Sequence, residues 1–484
     1  MRTQGQRPVS QAIPMKAHVL LITALLLPGC AEYTAQPLTP TATLAKFEAR
    51  SLRDQGLRRF TAAGLHREPT PWPPTAWDFD ALTLAALYYH PDMAVARSQR
   101  DLAEAGEITA GQRPNPSLAF SPTYVTNIAS VPFTNPWIMG LNPDIPIETA
   151  GKRDDRIAHA QHLTESARMK IAAVAWQVRS RLRASLLNLH AARSAETLRA
   201  EQLAQQRAWF RLLEQRLAVG EISRPELTTA HLALAQADLA LREAQRQAAE
   251  TQVQLADALG VPASALSGLE ISFEAVAQPP SLENLQPGTL RRQALLNRAD
   301  ILAALADYAA TEAALQLEIA KQYPDVHLSP GYIFNQGEYK WVFGLSLSLP
   351  VLNQNQGPIA EAEARRKEAA ARFEALQAKV AGEIDRTLAG AVATRQKLAA
   401  AEQLLADQAR QRRSAEALFR AGETDRLALV AADLEYATTA LARLDAQVKA
   451  QQALGLLEDA LQRPLDDAIA LPPMTEAPPG DGSR

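Results

Sequence analysis

Leu217-Ala218-Val219-Gly220-Glu221-Ile222-Ser223-Arg224-Pro225-Glu226-Leu227 and Phe419-Arg420-Ala421-Gly422-Glu423-Thr424-Asp425-Arg426-Leu427-Ala428-Leu429 are two versions of one turn. Gly220 matches Gly422, Glu221 matches Glu423, Arg224 matches Arg426 and Leu227 matches Leu429, every pair 202 positions apart. Chance similarity between alanine-rich helices would explain shared composition but not a fixed spacing, which marks duplication. Before each glycine the chain runs for about 60 residues without proline, from Ile157 to Ala218 and from Ile359 to Phe419, far beyond an ordinary globular helix. At 1.5 Å per residue each run spans roughly 90 Å. Such a helix needs a partner of comparable length, so the two turns are read as the tips of two long hairpins.

From the tips, shorter helices return. Leu227, Ala230, Leu234, Ala237, Leu241, Ala244 and Ala248 are spaced alternately by three and four, as are Leu434, Ala437, Leu441, Leu444 and Val448; this is a coiled-coil seam. Pro262 and Pro464, again 202 apart, stand just past their ends. Ahead of the long helices the period changes to two. Trp341, Phe343, Leu345, Leu347 and Leu349 alternate with Val342, Gly344, Ser346 and Ser348, which predicts a strand with one apolar and one small or polar face. Val326 to Phe334 is its expected partner across Asn335-Gln336-Gly337-Glu338. Leu118 to Val125 and Trp137 to Ile147 form the equivalent hairpin in the first half. Pro146 and Pro350 mark the strand-to-helix corners, because proline cannot donate to a sheet but is tolerated where a strand ends.

Ahead of the strands the duplication continues with a spacing of 208: Leu82 with Leu290, Leu87 with Leu295, Asp92 with Asp300, Glu104 with Glu312 and Pro116 with Pro324. The first repeat is placed at 79–277, with strands at about 117–147, a long helix at 153–218 and a returning helix at 226–260. The second occupies 289–470, with strands at about 325–350, a long helix at 358–420 and a returning helix at 426–462. A proline-containing linker, 278–288, joins them, and 471–484 reads as a disordered tail. Residues 30–78, with Pro37, Pro40, Pro69, Pro71, Pro73 and Pro74, are expected to be an irregular leader. A first helix of about 31 residues and a returning helix of about 35 together match one long helix, so the two are expected to stack end to end beside it.

The run Val19 to Leu27, behind Lys16 and before Pro28-Gly29-Cys30, is too short for a stable membrane-spanning helix and reads as a cleaved signal segment over 1–29. Met15-Lys16 is a typical start for such a segment, so residues 1–14 read as an upstream extension. Cys30 is the only cysteine, so no internal disulfide exists. Leu-x-Gly-Cys resembles the bacterial lipoprotein box, which implies an acylated Cys30 as mature N-terminus and, with Ala31 following, outer-membrane retention. The alternative is an ordinary signal peptide with Cys30 incidental.

A net charge of -3 with 5% aromatics argues against nucleic-acid binding, and 47% hydrophobic residues argues against a disordered chain. Much of the apolar fraction is alanine, and with Leu, Glu, Gln and Arg it is the composition of long packed helices. No later stretch approaches about 18 uninterrupted apolar residues, so any membrane crossing must use strands. Four strands cannot close a barrel, and an open edge is intolerable in lipid, so several chains must contribute. Eight strands from two chains would have a filled interior, whereas twelve from three leave a lumen. The fold class is mainly α with a small β part: long coiled-coil helical hairpins and four strands per chain, a geometry that favours three chains.

This order, twice over and behind a lipoprotein box, resembles the TolC-type outer-membrane factors of tripartite efflux systems across essentially the whole mature chain. Ile145-Pro146-Ile147-Glu148-Thr149-Ala150-Gly151-Lys152-Arg153 and Leu349-Pro350-Val351-Leu352-Asn353-Gln354-Asn355-Gln356-Gly357 resemble the heavy-metal branch, the cobalt, zinc and cadmium resistance type. The resemblance implies a homotrimeric passive conduit in outer-membrane lipid, served by a periplasmic adaptor and an inner-membrane resistance-nodulation-division pump. It places adaptor docking at the tips: Val219, Gly220, Glu221 and Arg224, with Ala421, Gly422, Glu423 and Arg426. It also implies that the hairpins form an α-barrel continuing from a trimeric twelve-stranded outer-membrane β-barrel, with acidic residues ringing a periplasmic gate. Glu226 fits, six positions after Gly220, whereas Ala428 and Ala431 depart from the acidic pair after Gly422, where Asp433 and Glu435 are the substitutes and exposed coiled-coil charges their alternative. The tip glycines could equally be helix caps and nothing more.

No enzyme, cofactor or metal-site constellation appears. His159 and His162 sit at i and i+3 without a Cys or third His nearby, and a solvated helix face accounts for them better than a metal does. Two other readings share these features: a lipid-anchored coiled-coil scaffold of the envelope, and the same conduit serving drugs or secreted peptides.

Overall fold

Proline-free, alanine-rich sequence extends until a residue that can leave the helical region ends it, and in this chain that rule sets the longest elements. In a computed structural model of the protein, residues 32–126, 135–277 and 286–465 are described. The signal segment, Cys30, most of the linker and the tail lie outside them. The chain divides at Ala49/Arg50 into two units. The first contributes helix α1 (Pro40–Glu48), all of it exposed.

Besides short helical turns at Ala263–Leu266 and Glu274–Ala277, the second unit holds the remaining elements. They are α2 (Gln55–Leu65), β1 (Ala76–Trp77), α3 (Phe79–Tyr89), α4 (Pro91–Gly111), β2 (Ser117–Tyr124) and β3 (Trp137–Ile147), then α5 (Lys152–Ala218), α6 (Arg224–Leu259) and β4 (Glu270–Ile271). The second repeat follows as α7 (Pro287–Asn297), α8 (Ala299–Ala320), β5 (Val326–Asn335), β6 (Glu338–Leu347), α9 (Gln356–Arg420) and α10 (Arg426–Leu461). At 67 and 65 residues, α5 and α9 are each about 100 Å long.

The expectation of an irregular leader over 30–78 is corrected here: it contains α1 and α2. Pro40 stands in the first turn of α1, where its missing N–H costs nothing. Asp54 caps α2 by accepting from Leu57 N at 2.9 Å. Leu52 and Leu57 are buried in the same core as Leu82 and Leu87 of α3. Pro69, Pro71, Pro73 and Pro74 occupy the segment after α2, where Trp72 stacks edge-on against the buried Trp77. The single first helix of about 31 residues is also two. His90 and Arg298 leave the helical region at the α3/α4 and α7/α8 breaks, with φ -65° and ψ 128° and 131°.

Those breaks are where the short helices meet end to end. Arg50 Nη1 donates to Tyr89 O at 3.0 Å and to Gly260 O at 2.6 Å, tying the end of α3 to the end of α6. In the second repeat Arg298 Nη1 donates to Ala460 O at 2.5 Å, and Ala299 N donates to Gln462 Oε1 at 2.9 Å. A cation on the last carbonyls of a helix offsets both unpaired acceptors and the negative end of its dipole.

One lateral order runs through three layers. The sheet is antiparallel in the order β2-β3-β5-β6. Beside it α4 packs on α5, α5 on α8 and α8 on α9; towards the tips α6 packs on α5, α5 on α10 and α10 on α9. Helices α4 and α6 therefore flank one side together with β2, and α9 flanks the other together with β6. Burial follows this order: α10 buries residues along most of its length, whereas α9 buries only six, from Ala362 to Leu398.

The repeats are joined through α5 and α10 by a buried charged cluster. Arg179 and Arg183 each approach Glu458 Oε2 at 3.4 Å. Arg183 also donates to the carbonyl and side-chain oxygens of Gln451, at 3.0 and 2.9 Å. The Arg179 guanidinium lies over Phe79 and Trp176, 4.9 and 4.8 Å from their ring centres. Gly455 provides the room, since a Cβ there would lie 2.6 Å from Arg183 Nη1. Asp459 accepts from Trp176 Nε1 at 3.0 Å and Ser180 Oγ at 2.6 Å. Burial raises its carboxyl above the usual range despite these donors.

Candidate functional site

The sheet presents one bare apolar face. Tyr124 faces Trp137, Phe120 faces Leu141, Leu141 faces Tyr332, and Tyr332 faces Trp341 across the strands; Leu118, Ile145, Leu328 and Leu345 fall on the same side. No described residue covers this face: Phe343 is 84% exposed, Trp341 74% and Leu118 66%. The opposite face carries Ser121, Thr123, Asn142, Asp144, His327, Ser329, Lys340 and Ser346. There His327 Nδ1 lies 3.0 Å from Asp144 Oδ2, and Ser329 donates to Asp144 Oδ1 at 3.2 Å. Among the described residues, β2 and β6 each have one unpaired edge. Such edges in such a sheet demand another strand. The turn between β5 and β6 is tighter than the sequence suggested. Asn335 and Glu338 pair, leaving Gln336 and Gly337, both with positive φ, as the loop.

At the tips both glycines have positive φ, +80° for Gly220 and +77° for Gly422. Gly220 N donates to Leu217 O and Glu221 N to Arg216 O; Gly422 N donates to Phe419 O and Glu423 N to Leu418 O. These are two copies of a Schellman cap, in which a left-handed residue lets the last carbonyls find donors. A Cβ at either glycine would meet nothing within 4 Å. Val219, Glu221, Arg224, Ala421, Glu423 and Arg426 are all exposed around them.

The gate candidates separate. Glu226 and Glu435 are exposed, and Glu226 accepts from Ser223 Oγ at 2.9 Å. Asp433 is bound within its own hairpin by Arg412 Nε at 2.7 Å. The contact that joins the two tips was not anticipated: Arg216 of α5 pairs with Asp425, which also caps α10 by accepting from Ala428 N at 2.9 Å. That N–H and the Arg216 guanidinium hold the Asp425 carboxyl below its usual range. A signal existed in the duplication itself. Arg216 aligns with Leu418 and Asp425 with Ser223, so this one pair of opposite charges arises at positions where the repeats differ.

The strand-to-helix corner is a second network that sequence reading left without a role. Lys152, buried, donates from Nζ to Tyr323 O and to Asp325 Oδ1, both at 2.6 Å. Burial pushes the Asp325 carboxyl up, but Lys152 and the Thr149 N–H outweigh it and hold it below the usual range. Arg156 grips Glu148 at 2.7 and 3.1 Å and donates to Ala110 O at 3.0 Å. Its hydrogen bonds hold the Glu148 carboxyl low. Arg153 Nε donates to Gly111 O at 2.9 Å. Arg153 and Arg156 thus close the end of α4 onto the start of α5, and Lys152 ties that start to the segment between α8 and β5. In the second repeat Asn355 does this for α8, donating to Glu318 O at 2.7 Å.

His159 Nδ1 lies 2.8 Å from Ala310 O, a contact between helices. Among the described residues no group of three or more His, Cys, Asp or Glu is arranged to hold a metal. No described helix is long and apolar enough to cross a membrane.

The profile of the outer membrane efflux protein family matches residues 83–261 and 290–461. The cobalt-zinc-cadmium resistance protein CzcC of Cupriavidus metallidurans is 25% identical over 284 residues, 58% of this chain and 65% of that protein's length. The fold is similar to that of the outer membrane protein VceC from Vibrio cholerae, with a TM-score of 0.64 and 20% identity over 80% of this chain and 97% of that one. It is also similar to the CmeC outer membrane channel of Campylobacter jejuni, with a TM-score of 0.62 and 16% identity over 95% and 94% of the two chains.

Proposed function

The chain belongs to the outer membrane efflux protein family, and from that premise we propose that three copies close into a passive conduit for export across the outer membrane. The observation that carries this is the common lateral order of strands and helices, with β2, α4 and α6 open on one flank and β6 and α9 open on the other. Different flanks joining head to tail make a heterologous interface, which closes as a ring when the rotation between copies is a whole fraction of a turn, here one third. Exposed apolar residues run along the flanks: Leu232, Leu239 and Val253 on α6 keep a spacing of seven or its multiple, as do Leu404 and Leu418 on α9. Those are seams awaiting a neighbouring helix. Three copies give twelve strands, with the apolar face towards lipid and the polar face lining a water-filled lumen.

The likeness to CzcC supports heavy-metal cations as cargo. The conduit supplies no energy, so a periplasmic adaptor meeting the Gly220 and Gly422 tips and an inner-membrane pump of the resistance-nodulation-division class complete the system. Cys30 carries the lipid that anchors the mature N-terminus. The Arg216–Asp425 link, with Glu226 and Glu435 exposed nearby and Asp433 on the same hairpin, controls the periplasmic mouth.

In mild detergent the protein is expected to run as a trimer and to conduct ions in planar bilayers. A deletion strain is expected to lose tolerance to graded zinc, cobalt or cadmium while its sensitivity to common antibiotics is unchanged. A monomer without conductance overturns the conduit; unchanged metal tolerance with a conducting trimer overturns only the cargo.

A further inference from the structure

The two ends of the apolar face are built differently. At the hairpin end Tyr124 packs on Trp137, and Tyr332 packs on both Tyr339 and Trp341, an aromatic girdle of the kind that sits at headgroup level. At the corner end the face finishes in Ile145 and Ile147, 39% and 43% exposed. There it runs into a cavity of about 560 Å³ whose wall includes Arg113, Arg153, Asp154, Lys152 and Glu148. The charges of that wall do not cancel. Lys152 is committed to Asp325 and Glu148 to Arg156. Arg153 donates only to the uncharged carbonyl of Gly111, and among the described residues neither it nor Arg113 has a carboxylate within ion-pair distance. Against these two guanidinium groups stands one carboxylate, that of Asp154, exposed to solvent.

We infer that this cavity binds the phosphate of a membrane glycerophospholipid, with Arg113 and Arg153 as its cationic partners and the acyl chains lying along Ile145 and Ile147. The inference rests on the barrel reading, which places the apolar face in hydrocarbon and the corner at the periplasmic leaflet. Guanidinium groups match phosphate oxygens in a planar fork, and the apolar strand ends continue directly from the cavity. A phosphate bridge at this rim anchors the sheet where the opposite rim uses aromatic rings.

The test is native mass spectrometry of the full-length protein, purified in mild detergent and supplied with phosphatidylglycerol, diacylglycerol or inorganic phosphate. The wild-type trimer is expected to retain up to one phosphatidylglycerol per chain and no diacylglycerol. Arg113→Ala, at an exposed position with no hydrogen bond or ion pair among the described residues, is expected to lower lipid retention about fivefold, the factor for one basic residue near an anionic surface. Arg113→Lys is expected to restore part of it. Equal retention by trimeric wild type and Arg113→Ala overturns the inference and leaves the barrel standing, as does retention of inorganic phosphate in place of the lipid. A wild-type chain that neither trimerises nor enters membranes overturns both.

Discussion

Breaking the Arg216–Asp425 link should open the periplasmic mouth, and two substitutions at one position separate that effect from simple damage to a helix. Asp425→Asn keeps a side-chain oxygen for Ala428 N and removes the charge that holds Arg216. Asp425→Ala removes both. The paired side chains are 35% and 51% exposed, so the pair is discounted to about 0.2–1 kcal/mol. Three such links that must release together contribute about 0.6–3 kcal/mol, a factor of about 3 to 150 in the ratio of open to closed. The lost cap in Asp425→Ala costs about 1 kcal/mol more per chain. In planar bilayers the open probability of Asp425→Asn should rise within that range, and Arg216→Gln combined with it should add nothing further. High salt should narrow the difference from wild type. The pH dependence has a fixed sign. Because the folded Asp425 carboxyl is held low by the Ala428 N–H and by Arg216, the link is fully present above the unfolded value of about 3.9. It is lost only as pH falls through the lower folded value, so opening by this route begins below about pH 4. If Asp425→Ala opens the channel and Asp425→Asn does not, the cap and not the link closes the mouth.

Phe343→Arg, on the bare face, should cost about 2–4 kcal/mol near the bilayer midplane and deplete the outer-membrane fraction, whereas Ser346→Arg on the lumen face should leave it near wild type; equal depletion would refute the assignment of faces. Gly220→Val and Gly422→Val force a β-branched residue to positive φ at about 1–2 kcal/mol each. Adaptor crosslinking and efflux should be lost with trimer yield unchanged, and loss of the trimer would assign the glycines to folding alone. Glu458→Ala strands two buried guanidinium groups and should destabilise by about 3–5 kcal/mol, read as a lower thermal midpoint of the detergent-solubilised trimer; an unchanged midpoint would remove the cluster from the stability of the repeat junction. Cys30→Ser should abolish labelling by a fatty-acid analogue, and persistent labelling would disprove acylation at that residue.

Elements whose cause is local were legible in the chain. The long helices follow from absent prolines and a glycine able to take positive φ, and the strands from a period of two with one apolar face. Elements whose cause is tertiary were not. The break at His90 has a proline after it, but Arg298 breaks the same way with none. What the two share is another helix arriving end-on, held by Arg50 in one repeat and by Arg298 itself in the other. The Arg183–Glu458 contact brings together groups with no common motif, and its enabling feature is the missing side chain of Gly455. Helix α1 was hidden because proline serves as helix starter as well as breaker, and α2, capped by Asp54, because the prolines on either side of it were read as marking the whole segment. The tip glycines could be located from sequence, but the joint beside them depends on Arg216 and Asp425, positions at which the two repeats had diverged.

In the trimer proposed above, the doubled hairpin in the order β2-β3-β5-β6 gives the ring a pseudo-sixfold character with two classes of joint. Three joints lie inside chains, where β3 pairs with β5 and the Arg183–Glu458 cluster is buried; they are intramolecular and independent of dilution. The other three join β6 of one chain to β2 of the next and are subject to mass action. Assembly and disassembly therefore proceed through only half of the joints, and a single substitution at either class alters every second spoke of the wheel. Duplication followed by divergence thus freed one set of joints to be permanent while the other remained reversible.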